Sequence, residues 1–397
     1  MTAAMPQGDG MKNAKRAFFV INSLEGGGAE RVFTTVLTHL KARAAVDGSL
    51  RIELVLLDTF AEKYPLPADL VVHRLDCAQS FVKSIQRLAA LVRRERPDLI
   101  FSFLTRSNCA AVVSGLLTRA PAVISERVHT SAHFGKGAGA AVNRLIVRLL
   151  YPRAAKVIAV SGGVAADLTA HYGVAPAQVS VIHNPFDIER IVNLAAEPAE
   201  IVLPEPGFWL AIGRLVPNKN FTMLLKAYAA SDSARHLVIL GEGPERAALA
   251  ALARALSVED RVHMPGHVDN PFAVMARASG FLMSSNAEGF PNALVEAMIV
   301  GLPVLATDCA SGPAEILEGG PERSVAALKR TVHGLLAPAD DAAAMAAGIR
   351  QLGDEDVRRD LAASARSRGR QFGLSETVDR YQSIVHAALK DAGTVVR

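Results

Sequence analysis

Short apolar runs alternate with longer amphipathic stretches along almost the whole chain. Ala17–Ile21 predicts a strand, and Glu30–Arg43 a helix with Val32, Phe33, Val36, Leu37 and Leu40 on one face. Arg51–Asp58 and Asp98–Leu104 predict further strands, with a helix at Ser80–Arg94 between them. Ala122–Glu126, Lys156–Ser161 and Val179–Asn184 continue the series. These runs are apolar throughout instead of alternating, as a parallel sheet covered on both faces requires. The order of elements is that of a doubly wound α/β domain.

The rhythm breaks at Ile191–Gly207, where Ala, Glu and three prolines (Pro198, Pro204, Pro206) gather, and this segment reads as a linker. It restarts with strands at Phe208–Leu215, His236–Gly241, Val262–Pro265, Gly280–Ser285 and Pro303–Asp308, and helices at Phe221–Ala230, Glu245–Leu256 and Pro291–Val300. Helical stretches at Asp341–Leu352, Glu355–Arg370 and Ser375–Leu389 close the chain, the last with Val378, Tyr381, Val385 and Leu389 at helical spacing. The expected organisation is a polar tail at 1–16, a first domain at 17–190, the linker at 191–207, a second domain at 208–371 and a terminal segment at 372–397.

A chain of 397 residues fits this two-domain division. Half the residues are hydrophobic and 21% charged, a globular composition, and aromatics at 5% leave the cores aliphatic. No run reaches the ~18 apolar residues that cross a bilayer. Met1–Gly10 is polar and Phe18–Ile21 is too short for the apolar part of a secretory leader. Cys77, Cys109 and Cys309 are odd in number and lack a CxxC pair, against a disulfide framework or a Cys-based zinc site, so a reducing cytoplasm is expected. Charge is uneven: residues 1–195 carry 23 Lys and Arg against 15 Asp and Glu, and residues 196–397 carry 20 against 24. The basic half suits an anionic partner, such as a membrane surface or a phosphorylated substrate, or is simply a solvated face. Nucleic acid is a poor fit, because the second half is acidic and no recognition-helix motif is visible.

Ligands of open α/β sheets bind outside the carboxyl ends of the strands, so the strand-to-helix junctions are where chemistry is expected. The first is Ser23–Arg31, where Gly26, Gly27 and Gly28 would leave backbone N–H groups open to a phosphate or sugar, or make an ordinary turn. The second is Gly213–Asn220, where Arg214 and Lys219 would neutralise a departing diphosphate without metal, or sit solvated in a turn. The third is Glu288–Glu296: Pro291 is expected at the first helical position, Glu288 in the loop before it and Glu296 about a turn and a half into the helix.

Nine stretches in order give these junctions a common meaning. They are GGGAERV (Gly26–Val32), VIAVSGGVAADL (Val157–Leu168), VSVIHNPFD (Val179–Asp187), GRLVPNKNF (Gly213–Phe221), LVILGEGPER (Leu237–Arg246), MPGHVDN (Met264–Asn270), EGFPNALVEAMIVGLPVLATD (Glu288–Asp308), ASGPAEIL (Ala310–Leu317) and HGLLAPADD (His333–Asp341). Over roughly residues 17–390 the chain resembles the retaining GT-B glycosyltransferases of family 4. The resemblance implies two Rossmann-like domains facing a central cleft, the first binding acceptor and the second a nucleotide-sugar, with the last helix crossing back to the first domain. Arg214 and Lys219 match the cations on the donor diphosphate, and Glu288 and Glu296 the EX7E carboxylates, the first at the donor sugar and the second at the ribose. Phe290, Pro291 and Asn292 match the helix start beside sugar and phosphates. Gly213, Glu242, Gly243, His267 and Val268 match the donor-side strand-end loops, and Gly27 and Gly28 the loop facing diphosphate or acceptor. Many relatives carry a His directly after the strand Ala122–Ser125; here Glu126, Arg127 and Val128 precede His129, so either His129 or Glu126 and Arg127 would fill that role, with Arg127 on the acceptor side.

What the resemblance implies is a hexose or N-acetylhexosamine passed from a nucleotide-diphosphate sugar, preferably UDP-linked, to a lipid-linked or surface-polysaccharide hydroxyl. No cofactor is expected, since the nucleotide-sugar is a substrate. The DxD-like Asp354-Glu355-Asp356 opens a helix, where acidic residues are favoured anyway. A 2-epimerase of the same fold and a non-catalytic nucleotide-sugar-binding subunit are the alternatives. Lys136–Lys156 sets Arg144, Arg148, Arg153 and Lys156 beside Leu145, Ile146, Val147, Leu149 and Leu150: an amphipathic segment for the inner membrane face, or a core helix with charged flanks.

Overall fold

The computed structural model describes residues 14–135, 137–319 and 325–394, so the first thirteen residues of the tail and Lys136 lie outside it. The chain forms two compact units. The first holds the residues up to Val160, Ala165–Pro185 and the chain from Ser375 onward; the second holds Ser161–Val164 and Phe186–Leu374.

The first unit is built on β1 (Lys15–Ile21), β2 (Leu50–Leu56), β3 (Val72–Arg74), β4 (Leu99–Phe103), β5 (Ala122–Glu126), β6 (Lys156–Ala159) and β7 (Val179–Val181), in the order β3-β2-β1-β4-β5-β6-β7 and parallel throughout. Phe101 and Phe103 face the side covered by the helices Gly28–Asp47 and Leu374–Thr394. There Phe33 meets Phe103 edge-on at 5.2 Å, Phe19 meets Phe101 at 4.7 Å, and Tyr381 of the closing helix lies over Phe103 at 6.2 Å. Fully burying one such ring contributes about 1.5–3 kcal/mol. That helix is therefore an integral part of the first unit, and its helically spaced Val378, Tyr381 and Val385 are buried. On the other side, the helices Phe81–Glu95, Thr105–Thr118 and Ala138–Leu150 pack in succession.

The second unit repeats the plan with β8 (Phe208–Ile212), β9 (His236–Leu240), β10 (Val262–Gly266), β11 (Gly280–Met283), β12 (Val304–Asp308), β13 (Lys329–Arg330) and β14 (Leu335–Pro338), in the order β10-β9-β8-β11-β12-β14-β13. Among the described residues only the β13–β14 edge is antiparallel. Trp209, Leu224, Tyr228, Ile239, Leu282 and Met345 belong to its core. The expected linker is in part a helix. Ile188–Ala196 is capped by Asp187, whose carboxylate accepts the Arg190 N–H at 3.0 Å, and it packs within the second unit against Pro271–Met275 and Asn292–Val300. Ile191 is its buried anchor. The unit boundary therefore falls at Phe186, and the prolines follow the helix instead of breaking it.

In each sheet the direction of the crossovers reverses between two adjacent strands, β1 and β4 in one and β8 and β11 in the other. The loops leaving such a pair part to opposite faces and open a crevice at the strand ends.

Candidate functional site

In the second unit that crevice is bordered by the loops after β8 and β11, which are laced together by polar side chains. Ser284 Oγ donates to the Lys219 carbonyl at 2.8 Å, Asn218 Nδ2 to the Ala287 carbonyl at 2.7 Å, and Asn220 Nδ2 to Asn286 Oδ1 at 3.0 Å. Lys219 Nζ reaches Glu288 Oε1 at 2.5 Å, and its stem lies over Gly213, where a Cβ would come within 3.3 Å of it. Arg214, one residue on, is exposed, and its guanidinium has no side-chain partner among the described residues. One cation is thus held by an acid and the other projects into solvent.

The helix Asn292–Val300 starts at this crevice. Pro291 is its N-cap instead of its first helical residue, and a proline ring offers the helix no capping acceptor. Phe290 is anchored edge-on against Phe372 at 5.3 Å. Glu288 keeps 13% of its side chain exposed, whereas Glu296 is 5% exposed on the buried side of the helix. Beside them, Gly241 (φ +133°) brings the end of β9 onto β8: a Cβ there would lie 2.0 Å from the Gly213 carbonyl oxygen, so only glycine fits. Glu242 is exposed and pairs with Arg246 at 3.1 Å, and Gly243 abuts Leu215. His267 is exposed after β10, and Val268 is buried. The structure thus brings Gly213, Arg214, Lys219, Glu288 and Phe290–Asn292 to one crevice, with Glu242, Gly243, His267 and Val268 on the flanking loops. Asn218, Asn220, Ser284 and Asn286 were missed in the sequence; Asn220 at φ +49° is the kind of amide-bearing turn residue that could have flagged the lacing.

The acceptor-side candidates of the first unit separate. Glu126 is fully buried and accepts from the Tyr151 hydroxyl, from the Arg127 N–H at 2.9 Å and from Thr105 Oγ1 at 3.2 Å. Burial pushes its carboxyl up, and burial beside Glu126 pushes the Tyr151 hydroxyl up as well. Arg127 is also buried. It donates to Ser125 Oγ at 3.3 Å, to the Tyr381 hydroxyl at 3.1 Å and to Asn184 Oδ1, and it lies 4.7 Å from the centre of the Phe103 ring. These side chains are engaged inside the fold; Arg127 holds the closing helix. His129, by contrast, is only partly covered. It caps the short helix Thr130–His133, its Nδ1 accepting the Ala132 N–H at 3.3 Å with Asp167 Oδ2 3.6 Å away.

The glycine loop borders the crevice of the first unit, a cavity of about 320 Å³. Gly27 caps the helix Gly28–Asp47, and its carbonyl accepts from the Tyr64 hydroxyl at 2.9 Å. A Cβ on Gly27 would sit 2.0 Å from Glu30 Oε2, so the Glu30 carboxylate lies across the amide end of the helix. Asn22, Asp58, Phe60 and Gln79, from the strand ends and loops after β1, β2 and β3, and Arg106, in the first turn of the helix Thr105–Thr118, complete the walls and carry no motif a sequence reading would select.

In the helix Ala138–Leu150, Val147 and Ala140 are buried, while Val142, Leu145 and Leu149 form an outward ridge exposed by 56%, 56% and 51%. Asp354, first of the DxD-like trio, caps the helix Glu355–Gly369 by accepting the Asp356 and Val357 N–H groups at 2.9 and 3.1 Å. No helix of the described residues is long and apolar enough to cross a membrane.

Residues 26–190 match the profile of Glycosyltransferase Family 4, and residues 208–355 that of Glycosyl transferases group 1. Among curated proteins, the N-acetylgalactosamine-N,N'-diacetylbacillosaminyl-diphospho-undecaprenol 4-alpha-N-acetylgalactosaminyltransferase of Campylobacter jejuni is 30% identical over 365 residues, covering 89% of this chain and 94% of its own. A second C. jejuni enzyme, the GalNAc-alpha-(1->4)-GalNAc-alpha-(1->3)-diNAcBac-PP-undecaprenol alpha-1,4-N-acetyl-D-galactosaminyltransferase, is 26% identical, covering 94% of this chain and 99% of its own. Among solved structures, Anabaena HepE in complex with UDP and glucose superposes with a TM-score of 0.73 at 20% identity, covering 94% of this chain and 100% of that one. The sucrose-phosphate synthase of Thermosynechococcus elongatus gives 0.75 at 18% identity, covering 95% and 100%. Both likenesses show the two-domain GT-B fold.

Proposed function

Since this chain belongs to the family 4 glycosyltransferases, we propose that it moves a hexose or N-acetylhexosamine from a UDP-sugar to a hydroxyl of a lipid-linked or surface-polysaccharide acceptor, with retention of anomeric configuration. The observation that carries this reading is the crevice of the second unit, where Lys219 and Glu288 are paired at 2.5 Å and Arg214 stands exposed beside them. The names of the C. jejuni relatives, both of which act on undecaprenol-linked glycans, support the acceptor class. The UDP complexes of HepE support the nucleotide.

On this reading Arg214, Lys219 and the start of the helix Asn292–Val300 receive the diphosphate, so that cations and backbone amides take the place of a metal. As the glycosidic bond to the diphosphate breaks, negative charge grows on the leaving oxygen, where these groups stabilise it more than in the ground state. The leaving phosphate oxygen takes the acceptor hydroxyl proton, and a dedicated general base is not needed. Glu288, released from Lys219 as the diphosphate binds, accepts from the sugar hydroxyls, and Glu296 is assigned to the ribose. The outward ridge Val142–Leu145–Leu149, with Arg148 exposed beside it, is assigned to the anionic inner face of the cytoplasmic membrane, where a lipid-linked acceptor resides. Thermal unfolding of the full chain with UDP, GDP, ADP and their sugars tests the donor. UDP or a UDP-sugar at a hundredfold excess over its dissociation constant stabilises the protein by about 2.7 kcal/mol. A shift with GDP or ADP alone would refute the nucleotide assignment, and donor isomerisation without any acceptor would favour the epimerase alternative.

A further inference from the structure

A lysine ammonium rides on a flexible stem, so a fixed position for Lys219 has to be built around it. The second unit builds it from its strand-end loops. The Lys219 carbonyl accepts from Ser284 Oγ at 2.8 Å. The residue before it is paired both ways with the loop after β11: the Asn286 N–H donates to the Asn218 carbonyl at 2.9 Å, and Asn218 Nδ2 to the Ala287 carbonyl at 2.7 Å. The residue after it, Asn220, uses its whole side chain. Its Oδ1 accepts the Met223 N–H at 3.2 Å and caps the helix Phe221–Ala229, while Nδ2 donates to Asn286 Oδ1 at 3.0 Å and to Asp340 Oδ1 at 2.9 Å. Its backbone is left-handed at φ +49°, which asparagine tolerates better than most residues with a Cβ. One acceptor, two donors and that backbone together call for asparagine, since aspartate lacks the donors and glycine the side chain.

Asp340 is itself left-handed, at φ +59°, and stands exposed after β14 in the stretch His333–Asp341. Its neighbour Asp341 caps the helix Ala342–Gln351 by accepting the Ala344 N–H at 2.9 Å, so the Asp340 carboxylate is not spent on capping and turns to Asn220. Two residues in an uncommon backbone conformation are thus bonded to each other at the rim of a crevice, and such strain concentrates where function does. We propose that Asn220 is a positioning residue: tied at once to the loops after β11 and β14, it holds the Lys219 ammonium in place for the donor diphosphate. Asp340, with no bond to Lys219 or Glu288 among the described residues, acts through it. The inference rests on the glycosyltransferase reading, in which Lys219 receives the diphosphate, and adds how that cation is placed.

The test is isothermal titration of the full chain with UDP and with uridine, which shares the base and ribose but has no phosphate. UDP carries the charge that the leaving diphosphate acquires, so the ratio of the two affinities reads the placement of the cations. Wild type is expected to prefer UDP by about tenfold or more, and Lys219→Ala to lower that preference. Asn220→Asp keeps a capping acceptor but sets a second carboxylate against Asp340. It is expected to weaken UDP on the order of tenfold, within the ~10²-fold that an ångström-scale misplacement can cost, and to leave uridine unchanged. Adding Asp340→Asn returns an amide donor to the pair and is expected to recover most of the lost UDP affinity. An Asn220→Asp variant that binds UDP as wild type does, or that loses UDP and uridine alike, overturns the inference, as does a double variant that recovers nothing. Where Lys219→Ala lowers the preference and Asn220→Asp does not, the positioning role alone falls. A wild type that binds UDP no better than uridine, or a preference untouched by Lys219→Ala, overturns the diphosphate assignment as well.

Discussion

Arg127→Ala separates two roles for a residue that the sequence places on the acceptor side. The structure puts its guanidinium inside the first unit, donating to Ser125, Asn184 and Tyr381 and covering the Phe103 ring. Truncation takes a buried donor from Asn184 and from Tyr381, at about 1–3 kcal/mol for each polar group so deprived. It also removes a desolvated cation–π contact worth about 2 kcal/mol. These losses share one side chain and do not add fully, so the expected cost is about 4 kcal/mol. At about 2–4 °C per kcal/mol for a domain of this size, the first unit should unfold about 8–16 °C earlier. Scanning calorimetry reads the shift, and hydrogen exchange localises it: amides of Leu374–Thr394 lose protection first, because Tyr381 is held there. Arg127→Lys, which keeps the charge but not the fork, should fall between the two. A melting temperature within 2 °C of wild type, together with a raised KM for acceptor, would refute the placement of Arg127 in the packing and return it to the ligand.

Three further outcomes are expected. Lys219→Ala should fold normally and lose on the order of 10²-fold in turnover, and transfer by the wild type should persist in EDTA; a loss on chelation that added metal restores would assign the diphosphate to a cation instead. Glu53, buried on β2, receives Arg16 Nε and Nη2 at 2.8 Å each, His73 Nε2 at 2.8 Å and Arg51 Nε at 2.9 Å. Burial alone would raise its carboxyl, but the Arg16 and His73 contacts outweigh that and hold it below the ordinary value. The stability it contributes is therefore complete above the unfolded value of about 4.3 and is lost as the pH falls through the lower folded one. Glu53→Gln should cost about 3–5 kcal/mol at pH 7 by urea unfolding, with the gap to wild type closing below about pH 4. Replacing Val142, Leu145 and Leu149 together by Ser should lower co-sedimentation with anionic phosphatidylglycerol vesicles by about 10²-fold, from about 1 kcal/mol per half-exposed side chain, while leaving the melting temperature unchanged.

Both sheets were legible because their strands are apolar on both faces and punctuated by turn residues, and the crevice of the second unit was legible because its chemistry sits in contiguous motifs. Three kinds of feature escaped. β3, β13 and β14 are three, two and four residues long, too short for any period to declare itself, and β14 ends on Pro338. Ile188–Ala196 was masked by the prolines that follow it, although Asp187 supplies a cap signal. The third kind is decided by partners distant in sequence. Nothing near Arg127 announces Tyr381, 254 residues away, and the walls of the first cavity are assembled from the segments after β1, β2 and β3 and the first turns of the helices Gly28–Asp47 and Thr105–Thr118. Local pattern identifies which side chains leave a strand end; only the folded chain decides which of them are spent on packing.

The polypeptide leaves the first unit at Phe186 and re-enters it at Ser375. During synthesis, the segment carrying Tyr381 is therefore translated after the entire second unit. Until it emerges from the ribosome, the aromatic side of the first sheet is left without its last cover and Arg127 lacks one of its acceptors. The amino-terminal half thus has to wait, partly dressed, while its neighbour is made. A fragment cut at the end of β7 would be stranded permanently in that state, with Phe101 and Phe103 less shielded and prone to self-association, whereas Phe186–Leu374 contains all seven strands of its own sheet in one uninterrupted piece.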